Sequence, residues 1–298
     1  MGWLSAFYNQ NSSTIEFIGI NALLGLSLYI TLACGLLSLA NAGFMAIGAY
    51  TSALLTLHRG APFPVVLLAG ALMPALLALP LGLPVLRLRG VFLAIATIGF
   101  GEVVRIFFLN WSYARGALGL NGIPQETAAW LIYVSLGVLL YFFWRLRRSK
   151  MGYALEAIRQ DEAAARASGV NTTFYKLLAF IVGAAIAGFA GALQAHLRFI
   201  VDPNDFNFAT AVNVLEYAVV GGMALFLGPV LGAALLTALP EALRHLTQLG
   251  IQPGPDRQLV SGIILLLVIL FLPGGLVSLF QGMRPRFRLP AALRVARA

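Results

Sequence analysis

Two ionisable residues inside an apolar stretch are the side chains best placed to do chemistry in this sequence. Glu102 and Arg105 are three residues apart in the apolar run Val91–Asn110, so their side chains can meet on one helix face. Ionisable groups at membrane depth are costly and therefore functional candidates, although pairing relieves the cost. We interpret them as an intramembrane polar pair, and a structural role is favoured over a pathway role. Glu216 and Glu241 raise the same question singly, since a proton-coupled carrier could use them.

Enzymatic and cofactor chemistry finds no support in the residue pattern. His58, His196 and His245 lie at predicted span ends without the HxxH or ExxH spacing of a metal site. Cys34 is the single cysteine, so neither a disulfide nor a cysteine metal site is available. There is no GxSxG turn and no plausible Ser/His/Asp set. The sequence therefore predicts a non-catalytic protein with no cofactor and no metal.

The chain also lacks the residues needed to hydrolyse ATP. A P-loop requires GxxxxGK[ST], because glycine amides cradle the phosphates and the lysine reaches them. The two lysines, Lys150 and Lys176, are followed by Met151 and Leu177, and neither comes after a glycine. If ATP drives this protein, a separate subunit must bind the nucleotide.

Composition places the chain in a membrane. Of its 298 residues, 60% are hydrophobic and only 10% are charged, and the mean hydropathy is +0.87. Soluble proteins carry about a quarter charged residues. The formal net charge of +9 does not indicate nucleic-acid binding, because the basic residues flank apolar runs and form no basic groove with interleaved aromatics.

The apolar runs predict an all-α, polytopic helix bundle that forms a single domain over 1–298. A span needs about 20 apolar residues. The count is eight to ten spans, nine if taken literally, and the short, glycine-interrupted second and seventh could be re-entrant. The first run is too long for the hydrophobic region of a signal peptide, and no basic residues precede it. The nine runs are Ile15–Leu39, Asn41–Leu57, Phe63–Leu86, Val91–Asn110, Thr127–Leu146, Thr173–His196, Val212–Leu227, Gly228–Leu246 and Leu259–Leu279.

The basic residues set the expected orientation. They concentrate in 87–90, in 145–176 and in the basic tail 280–298. The positive-inside rule places these three segments in the cytoplasm. The C-terminus is therefore predicted to be cytoplasmic, and the nine-span count puts the N-terminus outside.

The polar run 145–176 separates two apolar blocks and is the stretch around which the chain is organised. Read at helical period, Ala154, Leu155 and Ile158 share one face, and charged residues occupy the rest. Gly169 and Asn171 are typical stop signals before the next apolar run. The pattern predicts a short amphipathic helix at the cytoplasmic membrane surface, within a segment 147–172.

Small residues recur at helical spacing within the spans, for example at Gly183, Ala187 and Gly191. Small residues four apart let helix backbones approach closely in lipid. The pattern indicates tight helix packing and a partner subunit. The candidate positions for helix packing or for lining a pathway are Asn41, Gly43, Gly183, Gly191, Gly221, Gly222, Gly228 and Gly232.

Four stretches carry a resemblance to a known family, the LivM-type permease subunits of branched-chain amino-acid ABC importers. They cover most of the chain in family order. The first is LLSLANAGFMAIGAY (36–50), and the second is RLRGVFLAIATIGFGEVVR (87–105) with NW at 110–111 and GLNGIP at 119–124. The third is GYALEAIRQDE (152–162) with YKLLAF at 175–180, and the fourth is VGGM (220–223) with GPVLGAA (228–234).

The resemblance implies a coupling helix over Gly152–Gly169 that docks into an ATPase subunit, with Arg159, Asp161 and Glu162 as contacts. It also implies a second, LivH-like permease subunit, two ATP-binding cassette ATPases and a soluble substrate-binding protein, all acting at a bacterial inner membrane. The expected solutes are Leu, Ile and Val. Relatives of this shape also carry urea, short amides or other amino acids, and departures such as Ala40-Asn41 in place of Gly-His leave the solute open. Rival hypotheses are a stand-alone proton-coupled carrier, a membrane-embedded enzyme and a non-transporting scaffold.

Overall fold

The computed structural model describes residues 2–223 and 225–248, positions 262 and 266, and the short stretch 275–277. Nearly all of this described chain is helical. Its only strands, β1 (Leu120–Asn121) and β2 (Ile200–Val201), are two residues each and pair antiparallel. The α-helices are α1 (Gly2–Leu32), α2 (Asn41–Arg59), α3 (Phe63–Val85), α4 (Val91–Asn110), α5 (Ala129–Arg147), α6 (Lys150–Gln160), α7 (Glu162–Ala167), α8 (Thr172–Arg198), α9 (Phe208–Gly221) and α10 (Leu227–Gln248).

Five helices in the described part of the chain are long and apolar enough to cross a bilayer: the Ser12–Leu32 part of α1, and α3, α4, α5 and α8. Helices α9 and α10, the latter up to Glu241, are shorter and apolar. Helices α3, α4 and α5 expose large apolar side chains, as lipid-facing helices do. The predicted all-α, polytopic class is confirmed. The ninth predicted span, Leu259–Leu279, and the tail 280–298 lie outside the described residues.

Helix α8 lies at the centre of the bundle and packs directly on α1, α2 and α3. Its small residues make this possible. A methyl group at Gly183 would meet the Ser27 carbonyl of α1 at 2.8 Å, and one at Gly191 would collide with the Met45 carbonyl of α2. A methyl group at Gly188 would collide with Pro74 of α3. Backbone-to-backbone packing therefore replaces side-chain interdigitation along α8.

The first predicted span runs too far at its C-terminal end, because α1 ends at Leu32 instead of Leu39. The chain turns at Gly35, whose φ of 76° lies in the left-handed region that favours glycine. The segment that follows places the Leu39 amide 2.9 Å from the Thr97 hydroxyl of α4, to which it donates. Apolarity alone cannot show this break, because 33–39 is mostly apolar although it lies outside the helix.

Helix α2 is buried along most of its length, from Asn41 to Ala53, and is exposed only at its end. The buried Asn41 amide is hydrogen-bonded at the helix start, where it lies 2.5 Å from the Ser27 hydroxyl of α1. A methyl group added at Gly43 would lie 3.0 Å from the Cα atom of Gly101 in α4. Helix α2 is thus an internal helix enclosed by its neighbours.

Helices α9 and α10 meet at a glycine-rich junction. Helix α9 ends at Gly221, earlier than the predicted Leu227, and Gly222 adopts a φ of 101°. Methyl groups at Gly221 and at Gly232 would collide with the Gly228 and Tyr217 carbonyls, respectively. The Leu276 amide donates to the Val220 carbonyl at 2.9 Å, so residues 275–277 close the junction.

Candidate functional sites

The polar segment 145–176 forms two short helices, α6 and α7, instead of the single helix that the periodicity predicts. Asp161 causes the break. Its backbone is extended, and its carboxylate caps α7 by accepting from the Ala163 and Ala164 amides at 2.8 and 3.1 Å. Gly169, with φ of 85°, and the Asn171 cap then start α8. Aspartate is a strong N-cap, so a helix start here is favoured over an uninterrupted helix.

The apolar face of α6 packs against the bundle. Ala154, Leu155 and Ile158 are buried, as their shared face predicts, and Ala165 of α7 is buried beside them. Gly152 sits in the tight turn from α5, where a methyl group would collide with the Leu146 carbonyl. Gly152 therefore fixes the angle between α5 and α6 through its backbone.

The opposite face of the two helices is open. Tyr153 is 69% exposed, and the α6–α7 corner is exposed with it. Arg159 lies on this face, and its guanidinium is 3.8 Å from the Glu156 carboxylate, with the two side chains 38% and 54% exposed, respectively. We call this surface, formed by Tyr153, Glu156, Arg159, Gln160, Asp161, Ala163 and Ala164, the open face of the segment.

Glu162 anchors the segment to the bundle. Its carboxylate lies 2.7 Å from the Lys176 ammonium of α8 and 3.0 Å from the Arg166 guanidinium. The hydrogen bond from Lys176 lowers the pKa of Glu162, and the nearby charges of Lys176, Arg89 and Arg166 add to the effect against the opposing effect of burial. Of the residues expected to contact a partner, Arg159 faces outward, Asp161 caps a helix, and Glu162 is held within the chain.

Glu102 and Arg105 form an ion pair at 2.8 Å, as their spacing allows. The second Glu102 oxygen accepts from the Phe208 amide at 3.1 Å, and Arg105 donates to the Asn204 side chain at 3.2 Å. The pair therefore ties α4 to the start of α9. These contacts favour the structural role over a pathway role.

His58 and His196 make separate contacts, and the side chain of His245 lies outside the described residues. His196 is fully buried and hydrogen-bonds to the Thr56 hydroxyl at 2.9 Å and to the Ala192 carbonyl at 3.0 Å, which joins α8 to α2. His58 stacks on Tyr113 with ring centres 4.5 Å apart. Within the residues that the structure describes, no group of three His, Cys, Asp or Glu side chains could hold a metal ion.

A further polar group, which the sequence analysis did not identify, lies at the end of the bundle opposite α6 and α7. Arg198, at the end of α8, forms an ion pair with Asp205 at 2.8 Å beside Gln194 and Asn213. The sequence signal that could have identified this group is the spacing of Gln194 and Arg198, two polar residues four positions apart at the end of an apolar helix. The 3₁₀ turn Pro203–Phe206, which carries Asp205, could not be predicted from periodicity.

These features define a class: a polytopic helical membrane protein with an internal amphipathic segment. The model of the family described as branched-chain amino acid transport system/permease component matches residues 12–272. The chain belongs to this family of membrane permease components.

Curated relatives agree with this assignment. The chain is 35% identical over 307 residues to the high-affinity branched-chain amino acid transport system permease protein LivM of Escherichia coli (strain K12). The alignment covers 91% of this chain and 68% of the relative. It is 29% identical over 154 residues to LivH of the same strain, 52% of this chain and 47% of that one. It is also 24% identical to the galactofuranose transporter permease protein YtfT, over 89% of this chain and 80% of the relative. No solved structure matches the chain.

Proposed function

We propose that this chain is one of two permease subunits of an ATP-driven importer for branched-chain amino acids. A LivH-like permease would pair with it, two ATP-binding cassette ATPases would bind at the cytoplasmic face, and a soluble binding protein would deliver the solute from outside. The setting is a bacterial inner membrane, with α6, α7 and the C-terminus in the cytoplasm. The relatives named LivM and LivH, which are parts of one transport system, support the pairing of permeases.

The observation that carries the proposal is the construction of α6 and α7. The buried face of α6 and the Glu162–Lys176 ion pair fix the segment to the bundle, while the open face is left for a partner. The sequence contains no P-loop, so the force for ATP-driven transport has to enter from another subunit. The open face is where an ATPase would bind and push.

The segment is connected so that such a push is transmitted. Gly152 holds α6 at a fixed angle to α5, and the Glu162–Lys176 ion pair ties α7 to α8. Since α8 packs by backbone contact on α1, α2 and α3, these helices would move as packed bodies. Rigid-body rocking of packed helices around a central pathway is an established way to alternate access.

The identity of the transported solute is the most specific part of the proposal. The LivM resemblance favours Leu, Ile or Val, whereas the YtfT relative is named for a sugar. The same permease family thus accompanies different solutes, which agrees with substrate selection residing largely in the binding protein. Urea, short amides and other amino acids are the alternatives that an uptake assay with purified components would separate.

The test has two parts. Uptake of radiolabelled leucine is measured in vesicles containing both permeases, with and without the ATPase subunits, and we expect uptake only when they and ATP are present. Uptake that persists without them would refute the proposal in favour of a carrier. Gln160→Cys on the open face should crosslink to an ATPase subunit, and Ser112→Cys at the opposite end should not. The native Cys34 is buried and will not interfere.

A further inference from the structure

A small polar cavity of about 220 Å³ lies between α1, α8 and α9. At roughly 30 Å³ per molecule, its volume corresponds to about seven waters. It is therefore smaller than the sites of roughly 300 Å³ and more that enclose drug-sized ligands. Leu24, Met45 and Val214 form its apolar wall. A polar head group of a few heavy atoms, with a short hydrocarbon chain against that wall, fits these dimensions.

Opposite charges stand side by side in this cavity. The Arg198 guanidinium lies 2.8 Å from an Asp205 carboxylate oxygen, and each side chain is about one-third exposed. Arginine has five N–H donors, and the bond to Asp205 uses one of them. Burial raises the pKa of Asp205, and the nearby Asp202 adds to this effect while Arg198 opposes it.

Two side-chain amides complete the cavity. Gln194 lies one helical turn before Arg198 on α8, and Asn213 is exposed on α9. Among the described residues, no hydrogen bond is made by either amide, whereas Asn21 in the same cavity donates to Thr237 at 2.9 Å. A side-chain amide can both donate to and accept from a polar ligand. Because Asn213 is exposed, the cavity is open along α9.

We propose that this cavity receives the head group of a zwitterionic amino acid on its way into the pathway. Arg198 binds the carboxylate, Asp205 binds the ammonium group, and Gln194 and Asn213 supply the remaining hydrogen bonds. The site lies at the end of α8 remote from α6 and α7, which is the side on which a binding protein would dock. This inference rests on the proposed function and adds a solute-contacting site within this subunit.

The test uses the complete transporter in vesicles, with the binding protein and ATPases present. Asn213→Leu and Gln194→Leu remove the two unpaired amides without breaking a described contact. We expect each to raise the KM for leucine uptake about tenfold, while ATP hydrolysis stimulated by the binding protein persists. The matched control is Asn110→Leu, because the Asn110 amide bonds only to its own helix at the Ile106 carbonyl, 2.8 Å away.

The outcomes separate the inference from the function on which it rests. An unchanged leucine KM in both cavity variants would overturn the inference while leaving the importer intact. An equal rise in Asn110→Leu would also overturn it, because the effect would then not belong to the cavity. An active wild-type complex that moves another solute, but no amino acid, would instead refute the proposed function.

Discussion

Replacing Glu162 by Gln tests whether its ion pair with Lys176 helps to fasten α7 to the bundle. The substitution keeps the shape of the side chain and removes its charge. The carboxylate is 26% exposed and Lys176 is only 11% exposed, so the lost contact is well screened from water. A hydrogen bond to a charged group contributes about 1.5–3 kcal/mol, and the unpaired Lys176 ammonium adds its own cost. We take about 1.5–3 kcal/mol as the expected loss.

That loss should appear as local opening of α7. At about 1.4 kcal/mol per factor of ten, hydrogen exchange across Glu162–Ala167 should accelerate roughly 10- to 150-fold relative to wild type, while exchange in the core of α8 stays slow. Glu156→Gln is the matched control, because Glu156 lies 3.8 Å from Arg159 and this pair is more exposed than the Glu162–Lys176 pair. Such surface pairs contribute about 0–1 kcal/mol.

The dependence on pH gives an independent check. Because the pKa of Glu162 is lowered in the folded protein, its stabilising effect is complete above the ordinary value of about 4.3. The effect is lost as the pH falls through the lower folded-state pKa. The difference in α7 exchange between wild type and Glu162→Gln should thus be constant from neutral pH to about 5 and shrink below 4.3. Equal exchange at neutral pH would refute the anchoring role.

Three further experiments probe the packing, the helix cap and the Glu102–Arg105 pair. Gly188→Ala should destabilise the bundle by about 1–3 kcal/mol in thermal unfolding, because the methyl group collides with α3, whereas Gly137→Ala has open space and should be neutral or stabilising. Asp161→Ala should loosen α7 by about 1 kcal/mol in hydrogen exchange, and Asp161→Asn should largely retain the cap. A double-mutant cycle of Glu102→Gln and Arg105→Gln should return a coupling energy of about 0.5–3 kcal/mol in unfolding. A value near zero there would contradict the structural pairing.

Much of the fold follows from the sequence because a bilayer leaves few alternatives. Apolar runs of about 20 residues must be helical, since unsatisfied backbone groups are too costly in hydrocarbon. The predicted runs Phe63–Leu86 and Val91–Asn110 accordingly agree with α3 and α4 to within a residue. Spacing also brings Glu102 and Arg105 together, because a contact three residues apart is local.

The missed features depend on contacts between residues that are distant in the sequence. Helix α1 ends at Leu32 because the following residues lie against Thr97 of α4, 58 positions away from Leu39. The ion pair of Glu162 with Lys176 and the cavity at Arg198 likewise require the fold of α8 to be known. Asp161 is different: its capping role is local and could have been predicted from residue type alone.

Helix α8 connects the two sites that the proposals concern. It carries Lys176 near its start and Gln194 and Arg198 near its end. At 1.5 Å per residue, its 27 residues span about 40 Å, the full depth of a bilayer with its interfaces. No proline interrupts it, and Gly188 and Gly191 hold its middle against neighbouring backbones, so it cannot bend there without displacing them. On the proposed function, a force applied at α7 would therefore reach the polar cavity as a displacement of the whole helix.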